Sequence, residues 1–112
     1  MKYDRRNLKW NGWGWSDQQF PMDEPASLWR FLQDELNLDA LPDTPSVPID
    51  SIACPPSRIS ERQQNELADL CRSDCLRTSD YERIYHATGR SYHDLVRLRT
   101  GQIDHFPDAV AY

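Results

Sequence analysis

The side chains of this sequence that could coordinate a metal are three cysteines and one nearby histidine, and their spacing is loose. Cys71 and Cys75 lie four positions apart, while Cys54 and His86 lie well before and after them. Zinc sites usually pair two ligands about two residues apart and add a second close pair. We therefore interpret Cys71 as a buried structural thiol. The alternative function, a small metal or thiol enzyme, is supported by Cys71 and Cys75 alone.

The three histidines, His86, His93 and His105, do not come with the residues that would make one of them a catalytic base. General acid–base catalysis needs a poised partner and a cleft, and no nucleophile motif lies near these positions. We interpret them as surface or helix-capping residues. The sequence predicts no catalytic, metal-binding or cofactor-binding residue.

Arg90 begins the polar string GRSYHD, residues 89–94, at the start of a predicted helix. A cation is unfavourable there, because the helix N-terminus is the positive end of the helix dipole. Arg90 either pairs with Asp94 or Glu82, or it grips an anion or a neighbouring domain. We select it as a candidate packing or interface residue.

The other candidate interface residues are three tryptophans near the N-terminus, Trp10, Trp13 and Trp15, which alternate with Gly12 and Gly14. The glycines disfavour a regular helix or strand, while indole rings bury enough area to offset the cost of ordering such a backbone. We expect an extended aromatic arm over residues 1–22 that packs onto a preformed surface. The string NGWG lacks the pattern of a phosphate-binding loop.

The elements that must position these residues are mainly helical. Apolar spacing and capping signals predict a helix over 23–38, with Asp23 as N-cap and Pro25 in its first turn. A proline-rich connector over 39–57 follows, and then a helical segment over 58–104. Its three helices are predicted at 60–74, 79–88 and 91–100, each introduced by a serine that has an acid or amide three residues later.

The fold class predicted is mainly α, with three to four short helices, the extended arm and a C-terminal strand over 105–112. That strand is apolar and has no predicted sheet to join, so we expect it to be buried on both faces. Gly89 and Gly101 are expected just beyond the ends of the last two helices. The candidate core residues are Leu28, Trp29, Phe31, Leu32 and Leu36 in the first helix, Leu67, Leu70 and Cys71 in the second, Tyr81, Ile84 and Tyr85 in the third, and Tyr92, Leu95, Val96 and Leu98 in the fourth.

Composition excludes several classes of function. The net charge is −5 and the pI about 5.0, which disfavours binding to nucleic acid, because such binding needs a basic surface. No apolar run is long enough for a membrane-spanning helix. The odd number of cysteines favours free thiols and a cytoplasmic protein. Hydrophobic residues make up only 38% of the chain, so we expect its apolar surface to be completed by another body.

Residues 79–112 resemble the stretch that precedes the flavin-binding domain in the alkyldihydroxyacetonephosphate synthase-like group of FAD-linked oxidases, which are flavoproteins of the vanillyl-alcohol oxidase type. The leader KWNGWGW is also similar to the tryptophan–glycine opening of that group, whereas the proline-rich middle matches weakly. The residues that carry the resemblance are Tyr81, Arg83, His86, Gly89, Leu95, Leu98, Arg99, Gly101, Pro107 and Asp108.

The resemblance implies an FAD-dependent oxidoreductase or synthase whose cofactor loop and catalytic residues lie outside these 112 residues. Residues 105–112 would begin a strand of its α+β FAD-binding domain, cut short here. The chain would then be an N-terminal structural segment that is not catalytic alone. Its partner would be the remainder of the flavoprotein, and a homodimer surface stays open as a further use.

A different class of function also stays open. The chain could be a small stand-alone helical module that binds a protein partner through its tryptophan arm. Such a module should end in a polar tail or a capped helix, whereas PDAVAY, residues 107–112, has the composition of a strand. That ending favours the flavoprotein segment.

Overall fold

The computed structural model describes residues 5–19, 26–40 and 44–112, and these fall into two compact units. The first unit comprises the described residues among 1–9 and 14–45, and the second comprises 10–13 and 46–112. The elements are α1 (Ala26–Glu35), α2 (Glu61–Cys71), β1 (Leu76–Arg77), α3 (Asp80–Tyr85), α4 (Tyr92–Arg99) and β2 (Val110–Ala111), with 3₁₀ turns at Arg5–Asn7 and Ile49–Ser51. Within these described ranges, no helix has the length and apolar character needed to cross a bilayer.

The chain reverses direction inside the predicted arm, so the expectation of an extended segment is wrong. In the first unit, Leu8 and Trp15 form an antiparallel bridge, and the Lys9 amide donates to the Gly14 carbonyl over 3.0 Å. Gly14 has a φ of +82°, a conformation that L side chains rarely adopt. The glycine therefore serves a tight turn.

Helix α1 is followed by a residue in the left-handed backbone conformation. Asn37 has a φ of 52°, and the amide of Leu38 donates to the carbonyl of Gln33 over 2.9 Å, which closes the last turn. The predicted N-cap and first turn, Asp23 and Pro25, lie outside the described residues. The predicted apolar stripe is present but exposed, and its exposed members are Leu28, Phe31 and Leu36.

Helix α2 begins as predicted and ends three residues early. The Ser60 hydroxyl accepts from the Gln63 amide, and the Gln63 side chain accepts from the Ser60 amide, which completes the capping box. The helix stops because Arg72 has a φ of 70° and turns the chain, with the Cys75 amide donating to its carbonyl over 3.0 Å.

The C-terminal strand has a partner, which corrects the prediction of an orphan strand. β2 pairs antiparallel with β1, with Leu76 opposite Ala111 and Arg77 opposite Val110. The pairing continues where the Tyr112 amide donates to the Cys75 carbonyl over 3.1 Å. Ala111 is exposed, so the strand is not buried on both faces in this chain.

Helices α3 and α4 supply the buried hydrophobic residues of the described chain, which are Ile84, Leu95 and Leu98. Tyr92 and Val96 were expected with them but are 75% and 48% exposed. Ser91 and Asp94 form the predicted capping box of α4, and Gly101, at a φ of +75°, follows its end as predicted.

Gly89 does not end α3, because that helix stops at Tyr85 and His86 caps it. Gly89 instead lies against the α4 cap. A Cβ atom at this position would come within 2.9 Å of the Asp94 carboxylate. The glycine is needed for this close approach, which is a different reason from the one predicted.

Candidate functional site

A buried arginine joins helix α3 to the segment that leads into β2. Arg83 is 2% exposed, and its Nε donates to the carbonyl of Pro107 over 2.8 Å. Its Nη1 also contacts the Asp80 carboxylate at 3.1 Å. A buried guanidinium is tolerated only when such partners satisfy it. Arg83 therefore fixes where the chain passes α3 on its way to β2.

Asp108 fixes the same segment from the other side. Its carbonyl accepts from the Ser57 hydroxyl over 2.7 Å, and its carboxylate accepts from the Arg58 amide over 2.9 Å. The Arg58 amide, and then its nearby guanidinium, lower the pKa of the Asp108 carboxyl. We call Ser57, Arg58, Arg83, Pro107 and Asp108 the Pro-Asp clasp.

Cys54 lies close enough to Arg83 and Asp80 to interact with them electrostatically. Burial raises the pKa of its thiol, and Arg83 opposes that effect. A thiol held in its neutral form is a weak nucleophile. The raised pKa therefore disfavours the reactive thiolate form of Cys54.

Two side-chain-to-backbone hydrogen bonds join Arg90 to the Gly12–Trp13 segment. The Arg90 guanidinium donates to the Gly12 carbonyl over 2.9 Å, and the Trp13 indole donates to the Arg90 carbonyl over 3.2 Å. The guanidinium also lies 3.9 Å from the centroid of the Tyr85 ring, a favourable cation–π position. Two of the four candidate interface residues are thus brought together in the second unit.

The other two candidates are divided between the two units. Trp10 belongs to the second unit and is half-buried, whereas Trp15 belongs to the first unit and bridges to Leu8. Trp13 is 60% exposed despite its hydrogen bond, so most of its ring faces solvent in this chain. The role of these tryptophans as an interface stays a prediction.

Three polar side chains meet at the end of β2, and the sequence analysis did not find this cluster. The Tyr112 hydroxyl donates to the Glu82 carboxylate over 2.6 Å and lies 3.2 Å from His86 Nε2. His86 Nδ1 lies 2.9 Å from the Glu82 carbonyl and 3.6 Å from its carboxylate. The spacing of Glu82 and His86 on one helix face was a usable signal, whereas the arrival of Tyr112 depends on the β1–β2 pairing.

The hydrogen bonds of Arg83 and Asp108 hold the segment before β2 in place. Over 5–19, 26–40 and 44–112, no three His, Cys, Asp or Glu side chains gather as metal ligands would. The second unit does present an apolar groove along α2, in which Leu67 is 38% and Leu70 is 84% exposed. We call it the α2 groove; its lining residues are Arg58, Ile59, Gln63, Glu66, Leu67, Leu70 and Asp108.

Comparison with known proteins returned consistent relatives, although no family model matches the sequence. The chain is 28% identical to alkyldihydroxyacetonephosphate synthase of Dictyostelium discoideum over 94% of its own length and 21% of that protein. It is 29% identical to the synthase of the same name from Trypanosoma brucei brucei, over 92% of its length and 20% of that protein. The chain thus spans about a fifth of the length of these synthases.

A third relative is much shorter. Protein Rv2250A of Mycobacterium tuberculosis is 28% identical over 92% of this chain, and the match covers 67% of that protein. A segment of this kind therefore also occurs in a protein that is only about half again as long as the matched region.

Two solved structures of alkyldihydroxyacetonephosphate synthase superpose on 95% of the chain with TM-scores of 0.72 and 0.73, at 29% identity and over 23% of the synthase chains. Fold and sequence agree over the same part of the chain. Two of these relatives and both solved structures are alkyldihydroxyacetonephosphate synthases, which confirms the resemblance seen in the sequence of this chain.

Proposed function

We propose that this chain is a structural segment of an FAD-dependent enzyme of the alkyldihydroxyacetonephosphate synthase kind. It packs against the FAD-binding body of that enzyme and does no catalysis alone. One observation carries the proposal: 95% of the chain superposes on less than a quarter of a synthase chain. The remaining part of such an enzyme is the natural partner for this segment.

The exposed apolar side chains support the proposal that another part of the enzyme covers this chain. Leu70 in the α2 groove is 84% exposed, and Phe31 and Leu36 of the first unit are 56% and 62% exposed. Exposed apolar patches of this kind mark surfaces of interaction. Within each unit, these residues are the ones we assign to contact with the enzyme body.

The Pro-Asp clasp supports a defined route from this segment into the body. Arg83 and Arg58 hold Pro107 and Asp108 by hydrogen bonds, so the position of β2 is set by helix α3 and by the residues before α2. We propose that β2 leads into a strand of the α+β FAD-binding domain, as the resemblance implies. The clasp would then fix that strand relative to the helices.

FAD itself is assigned to the body. The phosphates of such cofactors need a glycine-rich loop after a strand. The four glycines here, Gly12, Gly14, Gly89 and Gly101, do not form one. We therefore assign no residue of this chain to FAD. The name of the relatives supports an alkylated dihydroxyacetone phosphate as the product class.

Hydrogen exchange of α2 tests this proposal. The α2 amides should exchange more slowly in the natural gene product, where the FAD-binding body is present, than in the 112-residue chain alone. Leu70→Asp should remove most of that added protection, because it places a charge in the groove. Tyr92→Asp, on the exposed face of α4, is the matched control and should change it little. Equal α2 exchange in both forms would contradict the proposal.

A second candidate is a separate chain that binds its partner through Trp13. The short Mycobacterium tuberculosis relative favours this possibility, because a segment of this kind occurs there without the length of a synthase. The exposed Trp13 ring would supply the anchor. The mass of the natural gene product separates the two candidates.

A cytoplasmic location stays a prediction from the three free thiols.

A further inference from the structure

We propose that Glu82, His86 and Tyr112 form a proton-operated latch that fastens the end of β2 onto helix α3. The latch is closed when both ring nitrogens of His86 carry protons, and it is weakened when one proton leaves. All of its atoms belong to this chain. The proposal therefore stands independently of the function proposed above.

The contacts of the Tyr112 hydroxyl show why a proton is involved. The hydroxyl has one hydrogen but contacts both Glu82 Oε2, at 2.6 Å, and His86 Nε2, at 3.2 Å. The carboxylate is only an acceptor, and its contact is the shorter one, so the hydroxyl hydrogen belongs to Glu82. The remaining contact needs His86 Nε2 to be the donor.

The other ring nitrogen of His86 also faces an acceptor. Nδ1 lies 2.9 Å from the Glu82 carbonyl oxygen, which cannot donate. A neutral imidazole has one N–H and can satisfy only one of these two acceptors. An imidazolium has two N–H groups and satisfies both. The heavy-atom arrangement is therefore the one that a protonated His86 completes.

Charged and aromatic groups lie around the ring. On α3, the Glu82 carboxylate lies 3.6 Å from Nδ1, and the Tyr85 ring lies 5.1 Å from the imidazole ring. From the residues after β2, the Tyr112 ring meets the imidazole edge-on at 5.6 Å. From the segment after α3, the Arg90 guanidinium lies over the Tyr85 ring, 3.9 Å from its centroid. The carboxylate is the charged group in direct contact with His86.

The latch needs a protonated His86 and an ionised Glu82. Protonated Glu82 would no longer be a charged acceptor for Tyr112 and His86. The Tyr112 amide, which donates to the Cys75 carbonyl, reports the state of the latch, because it lies at the end of the β1–β2 pairing.

Amide exchange of Tyr112 in the full chain tests the proposal, after correction for the intrinsic pH dependence of exchange. Protection should rise about three- to tenfold when His86 gains its second proton, in keeping with the net contribution of one hydrogen bond. His86→Gln and Tyr112→Phe should each abolish the rise. His93→Gln removes an exposed histidine and should leave it intact.

A second measurement does not depend on variants. Long-range proton–nitrogen correlation spectra of the native chain read the protonation of both His86 ring nitrogens. The proposal expects a protonated Nε2 in the state in which Tyr112 is protected. An Nε2 without a proton in that state would overturn the proposal. So would a rise in protection that persists in His86→Gln.

Discussion

At the scale of single residues, Arg83 holds the C-terminal segment beside helix α3. It is buried, it binds the Pro107 carbonyl through Nε, and its aliphatic part is enclosed with the guanidinium. In the sequence, only the family resemblance singles out Arg83. Periodicity alone would place an arginine in solvent, and only the tertiary contact with Pro107 explains its burial.

We expect Arg83→Met to lower the free energy of unfolding by about 2–3 kcal/mol, because it removes a charge-assisted bond and leaves the Pro107 carbonyl unpaired. Urea unfolding measures this loss. Arg62→Met is the control, since Arg62 pairs with Glu66 on an exposed surface and should cost at most about 0.5 kcal/mol. Equal losses in the two variants would refute the role of Arg83.

The Asp108 carboxylate should make the stability of the Pro-Asp clasp depend on pH in acid. Its pKa in the folded chain is lowered by the Arg58 amide and guanidinium. The stability from this carboxylate is therefore present above its ordinary pKa and is lost as pH falls through the folded value. Asp108→Asn should flatten the acid branch of the stability curve. Asp34→Asn, on the exposed side of α1, should preserve that branch; if it flattens the branch equally, the effect is not specific to the clasp.

At the scale of elements, local signals were predictable and long-range ones were not. The serine caps at Ser60, Ser79 and Ser91 were all found, because a cap bonds to a backbone amide only three residues away. Strand β1 was missed because two residues have no periodicity, and their pairing with β2 spans the third and fourth helices. The early end of α2 was missed because Arg72 adopts a positive φ without a glycine to signal it.

Gly89 gives a prediction at this scale. Gly89→Ala should lower the free energy of unfolding, because the new Cβ atom would press on the Asp94 carboxylate that caps α4. In an Asp94→Ala background the same change should cost much less, since the crowded carboxylate is gone. A double-mutant cycle by urea unfolding measures this coupling. Strictly additive losses would show that the close approach has no energetic weight.

At the scale of the whole molecule, the main feature is apolar surface that this chain leaves open. The sequence composition predicted this, because 38% hydrophobic residues and eight prolines leave little for a core. It did not predict which helix faces stay open. Those of α1 and α2 were assigned to the core, since periodicity marks an apolar face without showing what covers it.

Trp13 reports whether the open surface is covered in the natural protein. We expect its fluorescence to shift to shorter wavelength when the chain is joined to its enzyme body, because a 60% exposed indole would become shielded from water. The Trp13→Phe difference spectrum isolates this ring from the other three tryptophans. A Trp13 contribution that stays typical of water in the natural protein would exclude it from the interface.

The central claim is that this chain works as a non-catalytic segment of a flavoenzyme. Its most direct test is the intact mass of the natural gene product, with its bound partners, together with a visible absorption spectrum of the same sample. We predict a particle several times the mass of these 112 residues, with the yellow absorption of flavin. A colourless particle with the mass of this chain alone would contradict the claim.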